Sequence, residues 1–242
     1  MNTELINKTE SGFSLIELII AMTITVLITA VAGTMLAQSL NIRTRASEKI
    51  DALADAQRAL NIMSREIASA GFNLSDNGIV AADSVTDANG NSTIRVRANL
   101  NKFDTSAPAA ARNGIGTAGW DAGEDVKYFI FPVPGTTNLL ARYDPNGSGS
   151  TVLANRLDSL HIHYYAQKIT YTTASAFGVN RGCDITNPSA AEVSPDAAKY
   201  VVIAVCVRQL AVGTPGSAGY QPPSNTLLVS DVALRNSNLL LY

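Results

Sequence analysis

The chain has 242 residues, of which 46% are hydrophobic, and a formal net charge of -2. This length fits one ordinary globular domain plus a separate element. The near-neutral charge and a pI of about 5.7 argue against a protein that binds nucleic acid by electrostatic attraction.

The N-terminal part of the chain contains an apolar run from Phe13 to Leu40, in which Glu17 is the only charged residue. The run exceeds the ~20 residues that span a bilayer. It is also longer than the apolar core of a secretory signal, which has about 7–15 residues. A plain signal anchor is one interpretation. Glu17 favours another, because a carboxylate in a spanning helix costs about 2.5–3.5 kcal/mol and usually has a function.

The residues just before the apolar run favour a specific class of protein. Residues 1–12 form a short polar leader that ends in Gly12, directly ahead of Phe13. The string Gly12-Phe13-Ser14-Leu15-Ile16-Glu17 resembles the cleavage motif of type IV prepilins. The resemblance implies that a prepilin peptidase and N-methyltransferase cuts after Gly12 on the cytoplasmic side and methylates Phe13. It also implies that Glu17 acts in subunit assembly.

The spacing in this motif has a physical rationale. Cleavage after Gly12 creates an amine on Phe13, four residues before the Glu17 carboxylate. Two such charges ~4 Å apart attract by ~4 kcal/mol at an effective dielectric constant of 20. A buried carboxylate needs a partner of this kind. In a bundle of parallel helices, the amine can come from the same chain or from a neighbour.

Basic residues are distributed unevenly around the apolar run. The leader contains Lys8 together with Glu4 and Glu10, whereas Arg43, Arg45 and Lys49 follow the run. The positive-inside rule by itself predicts that the residues after the run are cytoplasmic. The cleavage motif requires the opposite orientation, with the leader in the cytoplasm.

We expect the helix to continue past the membrane as an amphipathic segment over residues 41–71. No proline interrupts residues 13–70, and Gly71 is a suitable C-terminal cap. The apolar residues of the predicted buried stripe recur at helical spacing. They are Ala46, Ile50, Leu53, Leu60, Met63, Ile67 and Ala70.

Residues near the end of this helix resemble particular subgroups of prepilin-like proteins. Gln57-Arg58-Ala59-Leu60 and the following Met63-Ser64-Arg65-Glu66-Ile67-Ala68-Ser69-Ala70-Gly71-Phe72 are similar to the PilW-type minor pilins and the J-type minor pseudopilins of type II secretion. A weaker similarity covers Val232-Ala233-Leu234-Arg235-Asn236.

Residues 72–242 have the pattern of a β-rich domain. Alternating and buried apolar runs predict strands, and Gly, Pro, Ser and Asn predict the loops between them. The predicted strands are 93–98, 125–131, 138–143, 157–166, 200–212 and 226–234, and the predicted loops are 104–123, 144–150, 174–198 and 213–225. We therefore predict an α+β, pilin-like fold in which one antiparallel sheet packs on the outer half of the long helix.

The two cysteines, Cys183 and Cys206, allow two interpretations. In an exported chain they predict a disulfide, whereas in a cytosolic chain they would be unpaired thiols. Export follows from the prepilin resemblance, so we predict the disulfide. It would restrain the 174–198 loop and stabilise the fold by roughly 3 kcal/mol.

No pattern in the chain predicts catalysis or a bound cofactor. Residues 114–119 match G-x-G-x-x-G but lack the flanking strand and helix of a dinucleotide site, so a loop is expected. His161 and His163 are half of a zinc site, and a solvent-facing pair is the simpler expectation. Two acidic groups lack the spacing of a calcium loop, so we expect turns there. They comprise Asp83, Asp87, Asn89 and Asn91, and Asp121, Glu124 and Asp125.

These observations predict a structural subunit and not an enzyme: a minor pilin that acts in pilus assembly, in priming or at the tip. It would cross the inner membrane once with a periplasmic domain and then enter a pilus filament. The expected partners are the prepilin peptidase, other major and minor pilins and the inner-membrane assembly platform. The alternative is a minor pseudopilin of type II secretion. A third hypothesis is a membrane-tethered enzyme, which would need a pocket of converging polar side chains, and no motif predicts one. A fourth is a tip adhesin, with which the long loops are compatible but which they do not identify.

Overall fold

The computed structural model describes residues 12–100, 120–133, 137–147, 149–173, 183–217 and 219–236. One long helix, α1 (Leu15–Ser69), precedes a β-rich domain. The strands are β1 (Ile94–Arg97), β2 (Asp125–Phe131), β3 (Asn138–Asp144), β4 (Gly149–Tyr165), β5 (Thr172–Thr173), β6 (Ile185–Thr186), β7 (Tyr200–Gln209) and β8 (Ser224–Ala233). Two short 3-10 helices cover Ala81–Asp83 and Pro195–Ala197.

The helix is continuous over 55 residues, which corresponds to ~82 Å at 1.5 Å per residue. It begins at Leu15, two residues later than the apolar run, because Ser14 is extended, with φ -71° and ψ 143°. It ends before Gly71, whose φ of 77° is in the left-handed region that glycine adopts freely.

Six strands form one antiparallel sheet in the order β1-β2-β3-β4-β7-β8, and β5 and β6 form a separate two-stranded ribbon. The predicted α+β architecture is therefore confirmed. The main difference is β4, which begins at Gly149 and not near Leu157. Of the predicted 144–150 loop, residues 145–147 form a turn, in which the backbone N–H of Asn146 donates to Asp144 Oδ1 at 3.1 Å.

The core lies between the outer half of α1 and the sheet. The helix contacts β4, β7 and β8, and its buried side chains recur at spacings of three and four. They are Ala52, Ala56, Ala59, Leu60, Met63 and Ile67. The predicted stripe was wrong at its start, since Ala46 and Ile50 are exposed. The face turned toward the sheet instead contains the alanines at positions 52, 56 and 59.

The chain crosses itself closely where α1 ends. A Cβ atom on Gly78 would lie 2.1 Å from the backbone N of Gly71 and 2.3 Å from Arg97 O. The Gly71 N–H donates to Arg97 O at 2.9 Å, and the Arg97 N–H donates to Gly78 O at 2.7 Å. Glycine at position 78 is therefore required for the segment after the helix to pair with β1.

One charged cluster lies between the helix and the sheet. Arg142 on β3 contacts Glu66 of α1 at 3.1 Å and Asp144 at 3.4 Å, and the Tyr128 hydroxyl donates to Glu66. Burial, together with the neighbouring Glu66 charge, raises the pKa of Tyr128 well above its usual range. The hydroxyl thus stays protonated and satisfies the Glu66 carboxylate, which offsets the cost of placing a charge at the edge of the core.

On the other face of the sheet, a disulfide joins Cys183 to Cys206 of β7, with the Cα atoms 5.7 Å apart. It holds residues 183–193 over a small apolar cluster, within which Tyr165, Ile185 and Val202 are buried. The Val193 N–H donates to Tyr164 O at 2.9 Å and completes the attachment.

This attachment overturns the expectation that His161 and His163 face solvent. The exposed fractions of their side chains are 24% and 17%. The two ring nitrogens of His163 lie 2.8 Å from Asp184 Oδ1 and 2.7 Å from Glu192 Oε1. Burial alone would lower the pKa of His163, but its hydrogen bonds to both carboxylates outweigh burial and raise the pKa.

Loss of the disulfide should destabilise this face. Cys206→Ser, Cys183→Ser and reduction of the wild-type protein should each lower the free energy of unfolding by about 3 kcal/mol. Each should also accelerate proteolysis within residues 174–193. Urea unfolding and peptide mapping measure the two effects. Two free thiols in native protein taken from the cell envelope would contradict the assignment.

The histidine contacts predict a pH dependence of stability. The raised pKa of His163 means that its contribution is complete below about pH 6.5, the unfolded value, and is lost as pH rises through the folded pKa. Burial would raise the pKa of Asp184, but the His163 contact holds it below 3.8, so the contribution of Asp184 is lost only below that pH.

We therefore expect wild-type stability to fall as pH rises above about 6.5, the unfolded value of a histidine. His163→Asn should flatten that decline, because the residue that titrates is removed. Urea midpoints at one-unit intervals measure it. Equal declines in the two proteins would contradict the role of His163.

Candidate functional site

The predicted cleavage and assembly residues meet at the N-terminus of α1. Gly12 and Phe13 precede the helix, and the Phe13 side chain is 88% exposed. Ser14 is the N-cap, and its backbone N–H donates to Glu17 Oε2 at 3.0 Å. The Glu17 carboxylate thus folds back over the helix start. The nitrogen that it binds belongs to Ser14, the residue directly after Phe13.

This position suits a negative charge. The first turn of a helix carries unpaired N–H groups and the positive end of the helix dipole, which favour an anion. Glu17 is the acidic residue of that turn. Since cleavage after Gly12 would add a positive amine at Phe13, the carboxylate could then stabilise both the helix start and the new amine.

Residues 15–37 of the helix are all exposed within the described chain. The helix is long and apolar enough to cross a membrane, with a best 18-residue window of mean hydropathy 2.4 in which no residue is buried. Its threonine hydroxyls donate to backbone carbonyls of the same helix. Thr25 Oγ1 lies 2.7 Å from Ala21 O, and Thr29 Oγ1 lies 2.7 Å from Thr25 O. These bonds satisfy polar groups that a bilayer would leave without partners.

The acidic groups considered for calcium are engaged within the protein. Asp87 Oδ1 accepts the N–H groups of Asn89 and Asn91, both at 2.8 Å, as the turn interpretation predicts. Asp83 and Asp125 pair with Arg95 at 2.6 and 2.7 Å. The hydrogen bond from Arg95 lowers the pKa of Asp83.

The remaining candidate residues give no sign of a bound metal in the part of the chain that the structure describes. Glu124 accepts the N–H groups of Leu100 and Asp121 at 2.6 and 2.9 Å. Across the described ranges, no group of three or more His, Cys, Asp or Glu side chains could hold a metal ion. The G-x-G-x-x-G string at 114–119 lies outside the described residues.

Sequence reasoning missed two features. Ser14, three residues before Glu17, is a capping signal that could have been read directly, since S-x-x-E before an apolar run marks a helix start. Asp184 and Glu192 are distant from His163 in the sequence, and only the fold of residues 183–193 brings them together.

The comparisons with known proteins agree with the N-terminal geometry. The family model described as the prokaryotic N-terminal methylation motif matches residues 7–33. No curated protein and no solved structure matches the chain. The matched segment contains Gly12, Phe13 and Glu17 and includes the first part of α1, up to residue 33, which is exposed. The chain therefore carries the methylation signal of a type IV prepilin-like protein on a helix that is able to anchor it in a membrane.

Proposed function

We propose that the protein is a minor pilin, cut after Gly12 and methylated on Phe13 by a prepilin peptidase, that acts in the assembly, priming or tip of a type IV pilus. The observation that carries the proposal is the Glu17 carboxylate folded over the helix start beside Phe13. The exposed apolar half of α1 is the surface by which such a subunit anchors in the inner membrane and later packs in a filament.

The β-rich domain would be periplasmic before assembly, which agrees with the disulfide between Cys183 and Cys206. Other major and minor pilins and the inner-membrane assembly platform would be its partners. The same arrangement would serve a minor pseudopilin of type II secretion, so the filament that takes up the chain distinguishes the two roles.

The first prediction concerns processing. Protein extracted from membranes should have Phe13 as its N-terminal residue, with one methyl group, because Gly12 leaves space for a peptidase at the membrane face. Intact-mass analysis measures this. Retention of Met1, or a cut at another bond, would contradict the proposal. Gly12→Val is the matched variant, and it should remain uncut.

The second prediction concerns Glu17, whose charge and hydrogen bond can be separated. Glu17→Ala removes both, whereas Glu17→Gln keeps an acceptor for the Ser14 N–H and removes only the charge. We expect both variants to insert, to be cleaved and to fold. Both should be depleted from sheared filaments by about tenfold or more, since the loss of only ~1.4 kcal/mol changes an equilibrium tenfold.

The measurement is the amount of mature protein in the sheared-pilus and membrane fractions of cells that lack the wild-type copy. Normal assembly of Glu17→Gln would show that helix capping suffices and would contradict the ion-pair role. Loss of either variant from both fractions would indicate a stability role instead. Depletion from a secretion pseudopilus, with pili unaffected, would favour the pseudopilin.

A further inference from the structure

One end of the β-rich domain, here called the base, contacts α1 near the end of its apolar half. It includes residues 219–222 of the loop before β8. A Cβ atom on Gly219 would lie 3.0 Å from the side chain of Gln38, so the loop before β8 touches the helix at that residue. Further along, Arg45 Nη1 donates to Gln221 Oε1 at 3.1 Å, and Arg45 also donates to Pro222 O.

These contacts place the base at the depth of the lipid headgroups. Leu36 and Leu40 are exposed apolar residues of the preceding turns, at 63% and 55%. Gln38 and Arg45 are about 10 Å apart along the helix axis at 1.5 Å per residue. The headgroup layer on each side of a bilayer is about 5–8 Å thick. A helix that crosses the membrane up to Leu36 or Leu40 therefore brings the base into that layer.

A cavity of about 250 Å³ opens in this base. Its lining includes Arg45 and Glu48 of α1, Arg156 of β4, and Arg208 and Leu210 at the end of β7. Three guanidinium groups thus surround one cavity, and Leu210 beside them is 53% exposed. Planar guanidinium groups are the side chains best suited to bind phosphate oxygens.

Arg156 reaches this cavity because β4 is irregular there. The register of β3 against β4 shifts between Asn138 and Leu140, so that β4 holds one extra residue opposite β3. Arg156 has a φ of 58°, a left-handed conformation that few side chains of its size adopt. The bulge turns its side chain toward the helix, where Arg156 Nη1 lies 3.0 Å from Glu48 Oε2.

The charges of the pocket leave an excess of positive charge. Arg156 pairs with Glu48, and Arg208 Nη1 lies 3.2 Å from Asp158 Oδ1. Arg45 donates to neutral oxygens. The side chains of Arg156 and Arg208 remain 39% and 46% exposed. Since a guanidinium has five N–H donors, one carboxylate contact leaves donors for a further oxygen ligand.

We propose that this pocket binds the phosphate of an anionic lipid headgroup while the subunit is anchored in the membrane. The proposal rests on the membrane stage of the proposed function. It gives a role to Arg45, one of the basic residues that follow the apolar run, because arginines at a membrane surface are attracted to anionic lipids. Exposed Leu210 would contact the apolar boundary of the same lipid.

The test is native mass spectrometry of the full-length wild-type chain in non-ionic detergent micelles doped equally with phosphatidylglycerol and phosphatidylcholine. We expect wild-type protein to retain phosphatidylglycerol in preference to phosphatidylcholine. The double variant Arg156→Gln/Arg208→Gln should bind phosphatidylglycerol about tenfold or more weakly. Glu48→Gln should bind it more tightly, because the competing carboxylate is removed.

The matched control is Arg58→Gln/Arg65→Gln, which removes the same charge from exposed positions further along α1. It should bind phosphatidylglycerol like wild type. Equal binding of the two lipids by wild type, or equal losses in the two double variants, would overturn the proposal. Complete displacement of the lipid by millimolar inorganic phosphate would also overturn it and assign the pocket to free phosphate.

Folding controls and a charge-restoring variant distinguish loss of lipid binding from loss of the fold. Circular dichroism and an intact disulfide show whether the variants fold, and Arg156→Lys/Arg208→Lys should restore part of the lipid preference because it restores the charge. Lipid binding by purified protein does not depend on pili. A failure of the lipid proposal is thus distinguishable from a failure of the pilin proposal, which the filament fractions test.

Discussion

The packing of Ala52, Ala56 and Ala59 against strands β4, β7 and β8 determines how the two parts of this protein are joined. These alanines are 0–2% exposed. Alanine favours the helix and loses no side-chain rotamer entropy on burial, and its small side chain lets the sheet approach the helix closely. Because α1 is continuous from Leu15 to Ser69, this contact also fixes the direction in which the apolar half leaves the domain.

The same helix therefore meets two different environments. Its outer half buries one face against the sheet, whereas residues 15–37 are exposed on all sides in the described structure. The inner half satisfies its own threonine hydroxyls through backbone carbonyls, which suits a bilayer. Glu17 is the exception, since its carboxylate bonds Ser14 at the helix start and keeps a charge at the place where processing would create an amine. The base pocket with Arg45 and Arg156 lies at the boundary between the two environments.

The domain is also stabilised by a disulfide and by polar contacts between residues far apart in the sequence. The disulfide joins Cys183 to β7, and His163 lies between two carboxylates of residues 183–193. Glu66 of the helix is satisfied by Arg142 and Tyr128 of the sheet. Each contact joins residues far apart in the sequence, so that a change at one of them should act on the attachment of a whole segment.

The sequence alone determined the long helix, the antiparallel sheet and the N-terminal motif, because each depends on local pattern: an unbroken apolar run, alternation along strands, and fixed spacing from Gly12 to Glu17. The cysteine pair followed from the export that this motif implies. Local pattern did not determine which face of the outer helix is buried. Ile50 matched the predicted stripe, yet the sheet packs against the alanine row and leaves Ile50 exposed. Nor could it show that Asp184 and Glu192 enclose His163, or that a bulge turns Arg156 toward Glu48. These contacts were decided by tertiary structure, because sheet register and loop closure bring together residues whose separation along the chain carries no periodic signal.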